Sequence, residues 1–359
     1  MNTINRKPVI GYTMGDPAGI GAEILTAGWK KITTPSDHRH IVFGDPMCMK
    51  RAANTTDARI DIQTASSLEE AVDISANPTK IAVIPTGPPE ASSAAIGQVS
   101  SLAGQAAYAY LQSAIESAQL GSIDAIVTTP LNKEAIRLAG LEFPGHTEIL
   151  ADRCDVENFA MMLYIPAGQQ VGGDIGIGVV HTTLHQSLRN ALDEITTDNI
   201  VNKCQLADEF ATACLKQKGL SRAPRIAVAA LNPHAGENGL FGDEESKIIA
   251  PAVSRARQLG IDCYGPISCD TLMGRAVSGE FDLVIALYHD QGHIALKLLG
   301  MHKAVNVTLG LPIIRTSVAH GTAFEIAGTG QADPTSLFKS VEVAENLIAQ
   351  RVLESESAV

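Results

Sequence analysis

The chain has 359 residues, 45% of them hydrophobic and only 4% aromatic, with a formal net charge of −12. That length exceeds one ordinary core and predicts two domains, or one large α/β unit with two lobes. The acidity, with no basic stripe, excludes extended nucleic-acid binding, which needs clustered cations against phosphates; a local pocket for a small anion needs only two or three donors and stays allowed.

The six cysteines, Cys48, Cys154, Cys204, Cys214, Cys263 and Cys269, form no C-x-x-C pair. They read as buried free thiols of a reducing compartment. The N-terminal MNTINRKPVIGYTMG lacks the apolar core of a signal peptide. The longest apolar runs hold about eight residues, well below the roughly 18 that span a bilayer. A soluble cytoplasmic protein with no membrane partner is expected.

Apolar runs of strand length alternate with amphipathic stretches of helix length. PVIGYTM (8–14) predicts a strand and Ile20 to about Lys31 a helix. HIVFG (40–44) and KIAVIP (80–85) are further strands, and 101–119 is helical with Ala and Leu on one face. DAIVTTP (124–130), a helix from Asn132, MMLYIP (161–166) and DIGIGVV (174–180) follow, then a long helix over about 195–218. RIAVAAL (225–231), a helix over 243–258, DLVIALY (282–288), a helix near 291–299 and AVNVTLG (304–310) come next. Helices near 320–328 and 333–352 close the chain, and the tail ESESAV reads as frayed. Residues 55–100 are the least periodic and read as surface loops and short strands. The alternation predicts a mostly parallel sheet covered by helices.

Four segments carry chemistry. Met14-Gly15-Asp16-Pro17-Ala18-Gly19-Ile20-Gly21 links a strand to a helix and offers free N–H groups to an anion or polar substrate; it is neither G-x-G-x-x-G nor a Walker A loop. Pro144-Gly145-His146-Thr147-Glu148 reads as a helix start with Thr147 as its cap. His185, His234 and His289 each follow an apolar run, where α/β proteins place their sites. Three imidazoles with an open position are a recognised catalytic zinc arrangement. Spacing leaves His181 as a rival to His185 and His293 as a rival to His289, with Asp290 placed to orient the latter. Lys297, Asn306 and Arg315 follow; together they can hold a phosphate or carboxylate, the arginine by its two-pronged fork.

Taken together, GYTMGDPAGIGAEI, PGHTEILA, NPHAGENGLFGDEE, YHDQGHIALK and VNVTLGLPIIRTSVAHGTAFEIAGTG closely resemble the PdxA family of NAD-dependent 4-hydroxythreonine-4-phosphate dehydrogenases. The matching stretches run from residue 11 to about 330. The resemblance implies an isocitrate/isopropylmalate-dehydrogenase-like α/β fold, with two α/β domains flanking a central cleft. It places 1–128 with 305–359 in the first domain and 129–304 in the second, the latter carrying the metal histidines and much of a homodimer interface at which the active site is built. It puts the divalent metal (Zn, or Mg, Mn or Co) on His185, His234 and His289. Substrate contacts fall on His146, Thr147, Lys297, Asn306 and Arg315, with Asp270 or Lys297 as the proton relay.

Two departures bear on the site. Where the family reads Thr-Thr-His, this chain reads Thr183-Leu184-His185, with Thr182-Thr183 shifted by one. Its Asn132-Lys133-Glu134-Ala135 resembles the PdxA2 subgroup, which oxidises D-threonate or D-erythronate 4-phosphate. The expected reaction is NAD-linked oxidation of a phosphorylated four-carbon hydroxy acid, with decarboxylation of the β-keto product. The alternatives are a dehydrogenase of a non-phosphorylated acid, such as an aromatic cis-dihydrodiol carboxylate, and a phosphate acyltransferase-like enzyme. The residues of the NAD site are not marked by any motif.

Overall fold

The computed structural model describes residues 6–34, 36–300 and 303–357. In chain order the elements are β1 (Val9–Thr13), α1 (Gly21–Thr33), β2 (Arg39–Gly44), α2 (Pro46–Thr55), β3 (Asp61–Thr64), α3 (Leu68–Ile74), β4 (Lys80–Pro85) and α4 (Ser101–Gln119). Then come β5 (Ala125–Thr128), α5 (Lys133–Leu138), α6 (His146–Arg153), β6 (Ala160–Ile165), β7 (Ile177–His181), α7 (Leu188–Glu194), α8 (Thr197–Gln217) and β8 (Ile226–Ala229). The last are α9 (Ala250–Gln258), β9 (Cys263–Ile267), α10 (Cys269–Val277), β10 (Leu283–Ala286), α11 (His289–Gly300), β11 (Val305–Leu309), β12 (Ile314–Val318) and α12 (Thr335–Ser357). Side chains start many of the helices: Asp45, Ser67, Ser100, Asn132, Ser187 and Thr196 each accept from a backbone N–H of the first turn.

The chain divides into two units, Met1–Val156 with Leu311–Arg351, and Glu157–Gly310 with Val352–Val359. In the first unit the strands run β3-β4-β2-β1-β5-β12, all parallel. Helices cover such a sheet on both faces, so its central strands are apolar throughout rather than alternating. All five residues of β1 are buried. Trp29 and Tyr12 pack edge to face in this core, and the Trp29 indole N–H donates to Lys80 O at 3.0 Å.

In the second unit the order is β11-β6-β7-β10-β8-β9. β6 runs antiparallel to both neighbours, and the remaining pairs are parallel. α8 lays Ile200, Cys204, Ala207 and Ala211 onto this sheet. The adjacent parallel strands β7 and β10 therefore end side by side, in register from Gly178↔Leu283 to His181↔Ala286.

The mixed α/β class and the mostly parallel sheet are as expected; several details differ. The boundaries fall at 156/157 and 310/311 rather than 128/129 and 304/305. α5 packs so closely on α4 that a Cβ at Gly104 would collide with Ala135 O, which keeps the segment after β5 in the first unit. β11 pairs with β6 and stays in the second. Residues 320–328 contain no helix; the chain there bends and then turns over 324–330. Glu23, buried, accepts from the N–H groups of Gly328 and Gly330, both left-handed, and holds that segment as a loop. Residues 55–100 contain the short α3 as well as strands, and the helix expected over 243–258 opens as one π-turn, Glu245–Ile249. α12 continues to Ser357, so the tail is helical up to there; Ala358 and Val359 lie outside the described residues, as do Met1–Asn5 of the N-terminal segment.

Candidate active site

The second unit gathers four histidines at the ends of β7 and β10. β7 ends in His181, and the chain then turns through Thr182–Leu184 to His185. Thr182 N–H donates to Ala286 O and the Thr183 hydroxyl to Leu287 O, which ties this turn to the end of β10. Gln291 fixes the start of α11, accepting from Leu287 N–H and donating to Ala230 O, both at 2.7 Å. The result sets the His185 and His289 rings 5.5 Å apart. Both line a cavity of about 490 Å³, with Leu184, Leu188, Tyr288 and Asp290 among its walls.

The rival histidines lie behind this pair. His181 is fully buried, with Nδ1 3.2 Å from Met161 O and Nε2 3.0 Å from Nδ1 of His293. A carbonyl only accepts, so His181 carries its proton on Nδ1 and its Nε2 accepts from His293 Nδ1–H. Burial holds His181 down at about 4. His293 falls to about 2 through burial, then the neighbouring charges of His181, His289 and Lys297. Both are neutral at physiological pH. His289 is held differently: its Nδ1 lies 2.7 Å from an Asp290 carboxylate oxygen, which only accepts, so Nδ1–H donates to it.

His234 stands on a separate loop after β8. His234, Ala235, Glu237 and Asn238 all have positive φ (52°, 53°, 42° and 55°). Each left-handed non-glycine residue costs roughly 1–2 kcal/mol, so the loop is held by something outside itself. His234 is exposed, as is Phe241, whose ring centroid is 6.3 Å from the imidazole. In donor chemistry the three imidazoles suit a borderline divalent cation. Among the described residues, however, no three His, Cys, Asp or Glu side chains of one chain stand close enough to share one.

Of the other residues singled out in this unit, Asp270 opens α10, exposed, and accepts from the Ser268 hydroxyl at 2.8 Å. Lys297 is exposed on α11, two turns beyond His289, with its charge within reach of His293. Asn306 sits in β11 opposite Leu163.

The first unit gathers a basic group around β5 and the start of β12. Arg315 is 1% exposed and donates through Nε and Nη2 to the Thr128 hydroxyl at 3.2 and 2.7 Å. Burial pushes its guanidinium down to about 9, against the pull of Glu148. His146 is pushed well below its ordinary value by burial and by the charges of Arg315 and Lys133, opposed by a hydrogen bond to the Thr129 backbone. Lys133 is lowered by burial, again with Glu148 opposing. Thr147 is buried inside the first turn of α6 and does not cap it; Gly145 takes the cap position. Arg315, His146 and Lys133 thus lie within electrostatic reach of one another, and Glu148 opposes the shifts of Arg315 and Lys133. Lys133 is the member that the sequence pattern did not single out as a ligand; its place one residue past the Asn132 cap was the available signal.

A family model described as pyridoxal phosphate biosynthetic protein PdxA matches residues 36–344. A D-threonate 4-phosphate dehydrogenase of Salmonella typhimurium is 43% identical over 341 residues, 94% of this chain and 98% of the relative. A 4-hydroxythreonine-4-phosphate dehydrogenase of Beijerinckia indica is 43% identical over 344 residues, 94% of each chain. A crystal structure titled 4-hydroxythreonine-4-phosphate dehydrogenase from Klebsiella pneumoniae superposes with a TM-score of 0.78 at 40% identity, covering 95% of this chain and 99% of that one. The family model covers parts of both units, and the chain belongs to the PdxA family.

Proposed function

We propose that this protein is an NAD-linked, metal-dependent dehydrogenase that oxidises and decarboxylates a phosphorylated four-carbon hydroxy acid. The observation that carries the reading is 43% identity, over 94% of the chain, to two dehydrogenases named for such substrates. The Asn132-Lys133-Glu134-Ala135 form favours D-threonate or D-erythronate 4-phosphate over 4-hydroxythreonine 4-phosphate.

Arg315, His146, Thr147 and Lys133 hold one anionic end of the substrate, the arginine supplying two parallel donors. Lys297 and Asn306 complete substrate binding, and Asp270 or Lys297 relays the hydroxyl proton to solvent. A divalent cation on His185, His234 and His289 would lower the hydroxyl pKa, and NAD would accept the hydride. Oxidation β to a carboxylate leaves a β-keto acid, which loses CO₂. Among the described residues of one chain no three such side chains could share a cation, and this reading takes the imidazole set as completed between two copies in a homodimer.

The test is NADH formation from D-threonate 4-phosphate, D-erythronate 4-phosphate and 4-hydroxythreonine 4-phosphate on one zinc-loaded preparation, beside a non-phosphorylated dihydrodiol carboxylate. Turnover of the phosphorylated acids, abolished by chelator, is expected. Turnover confined to the non-phosphorylated acid, or full activity after complete metal removal, overturns the reading.

A further inference from the structure

The left-handed loop that carries His234 has one buried anchor. Glu245 is 5% exposed and sits at the first position of the π-turn before α9. Its Oε1 accepts from Leu231 N–H at 2.9 Å and Asn232 N–H at 2.7 Å, the two residues that lead into the loop. Its Oε2 accepts from the Asn232 side-chain amide at 2.9 Å, and the same amide donates to Glu244 at 2.7 Å. Two glycines clear space for these carboxylates. A Cβ on Gly236 would stand 2.7 Å from Glu245 Oε2, and one on Gly242 would stand 2.5 Å from Glu244 Oε2. Burial alone would raise the Glu245 carboxyl, but the hydrogen bonds from Asn232 and Leu231 outweigh it and hold the group below its ordinary value, so it is ionised at neutral pH.

We infer that Glu245 is the positioning residue of His234: its carboxylate pins both the entry to the loop and the glycine inside it, and so holds the run of left-handed residues that presents the imidazole. Pro233–Gly239 forms a short 3₁₀ stretch built largely on left-handed residues, a conformation that non-glycine residues hold only at a cost. Leu240 N–H to Glu237 O and Phe241 N–H to Gly236 O close its far end. The π-turn that Glu245 opens, directly before α9, is a rare backbone form found frequently at functional sites. The consequence for cation binding rests on the function proposed above; the hold on the loop does not. Partners that orient a metal-ligating residue typically contribute 10–100-fold in metal affinity.

The experiment uses the full chain, with Glu245→Ala, Glu245→Gln, His234→Ala and the double variant His234→Ala/Glu245→Ala. Two readouts are taken: amide hydrogen exchange across 231–241 without metal, and zinc affinity against a competing chelator. Glu245→Ala should speed exchange in that segment and weaken zinc binding by about 10–100-fold. Glu245→Gln keeps an acceptor for the two backbone N–H groups and faces the Asn232 amide with a second donor, so it should fall between wild type and Glu245→Ala. It also carries the test if Glu245→Ala does not fold. In the His234→Ala background, loss of Glu245 should cost no further zinc affinity. Unchanged exchange in both Glu245 variants overturns the inference, as does an equal further loss of affinity without His234. If His234→Ala alone binds zinc as wild type does, the metal reading fails, and the exchange data still decide what Glu245 does.

Discussion

His289 stacks on His293, with ring centroids 3.7 Å apart and planes 14° from parallel. His293 in turn meets His181 through a 3.0 Å hydrogen bond. Two imidazoles at the cavity are therefore backed by two that are buried and neutral, and the inner pair fixes where the His289 ring lies. Changing His293 to Leu leaves His181 Nε2 buried without a donor, which costs about 1–3 kcal/mol. Changing His181 to Leu as well removes the orphan and should recover part of that loss. Urea denaturation of the two single variants and the double variant measures the coupling; strict additivity would show that the pair does not act as one.

The same pair makes stability depend on pH. His181 is held at about 4 and His293 at about 2 in the folded chain, against an ordinary value of 6.5. The unfolded chain therefore binds protons first as pH falls. The stability of the neutral pair is fully present above about pH 6.5 and is lost as pH drops toward the folded values, at roughly 1.4 kcal/mol per pH unit for each group. Urea midpoints between about pH 7 and about pH 5 should fall more steeply for wild type than for the double leucine variant. Parallel curves would mean that neither histidine is buried in its neutral form.

Much of this was legible in the sequence. Strands such as RIAVAAL and DLVIALY announce themselves because a parallel strand covered on both faces is apolar throughout. The histidines beyond them follow from the rule that sites lie past strand ends. What stayed hidden depends on register and on long-range partners. His181 and His185 are four residues apart, and only the pairing of β7 with β10 puts one under the sheet edge and the other on the cavity. Glu245 sits 11 residues past His234 in a run of acids that reads as a solvated helix start; its burial comes from a turn no local propensity encodes. α7 and α10 are too short for periodicity to separate them from loops.

Asp282 immediately precedes β10 and is 1% exposed. Arg222 holds it with two bonds of 2.7 Å, and Arg225 N–H adds a third at 2.8 Å. Burial would raise this carboxyl, but the bonds from Arg222 and Arg225 outweigh it and keep the group below its ordinary value. Asp282→Asn should cost ~2–4 kcal/mol, the low side of a broken buried pair, because Arg222 is partly exposed and retains Asp174. A depressed carboxyl stabilises above its unfolded value near pH 4 and loses that contribution as pH falls through the folded value. The variant should thus show a shallower acid limb in thermal unfolding; an unchanged limb would remove Asp282 from the acid response.

Arg315 separates a structural reading from a binding one. It is buried, bonded to Thr128 and placed within reach of Glu148. Arg315→Lys keeps a positive charge beside Glu148, so the chain should still fold, with a loss of about 1 kcal/mol from the surrendered bond to Thr128. A lysine has no planar fork, however, and cannot reproduce two parallel donors to a phosphate or carboxylate. If Arg315 holds the substrate, kcat/KM for the phosphorylated acid should fall about 10–100-fold, which is about 1.4–2.8 kcal/mol of lost transition-state binding. KM should carry most of that loss, because an anion held away from the reacting hydroxyl is bound alike in the ground and transition states. Steady-state kinetics beside thermal unfolding decide the matter. A variant with wild-type kcat/KM and reduced stability would assign Arg315 to the frame of the first unit and leave the anion to Lys133 and His146.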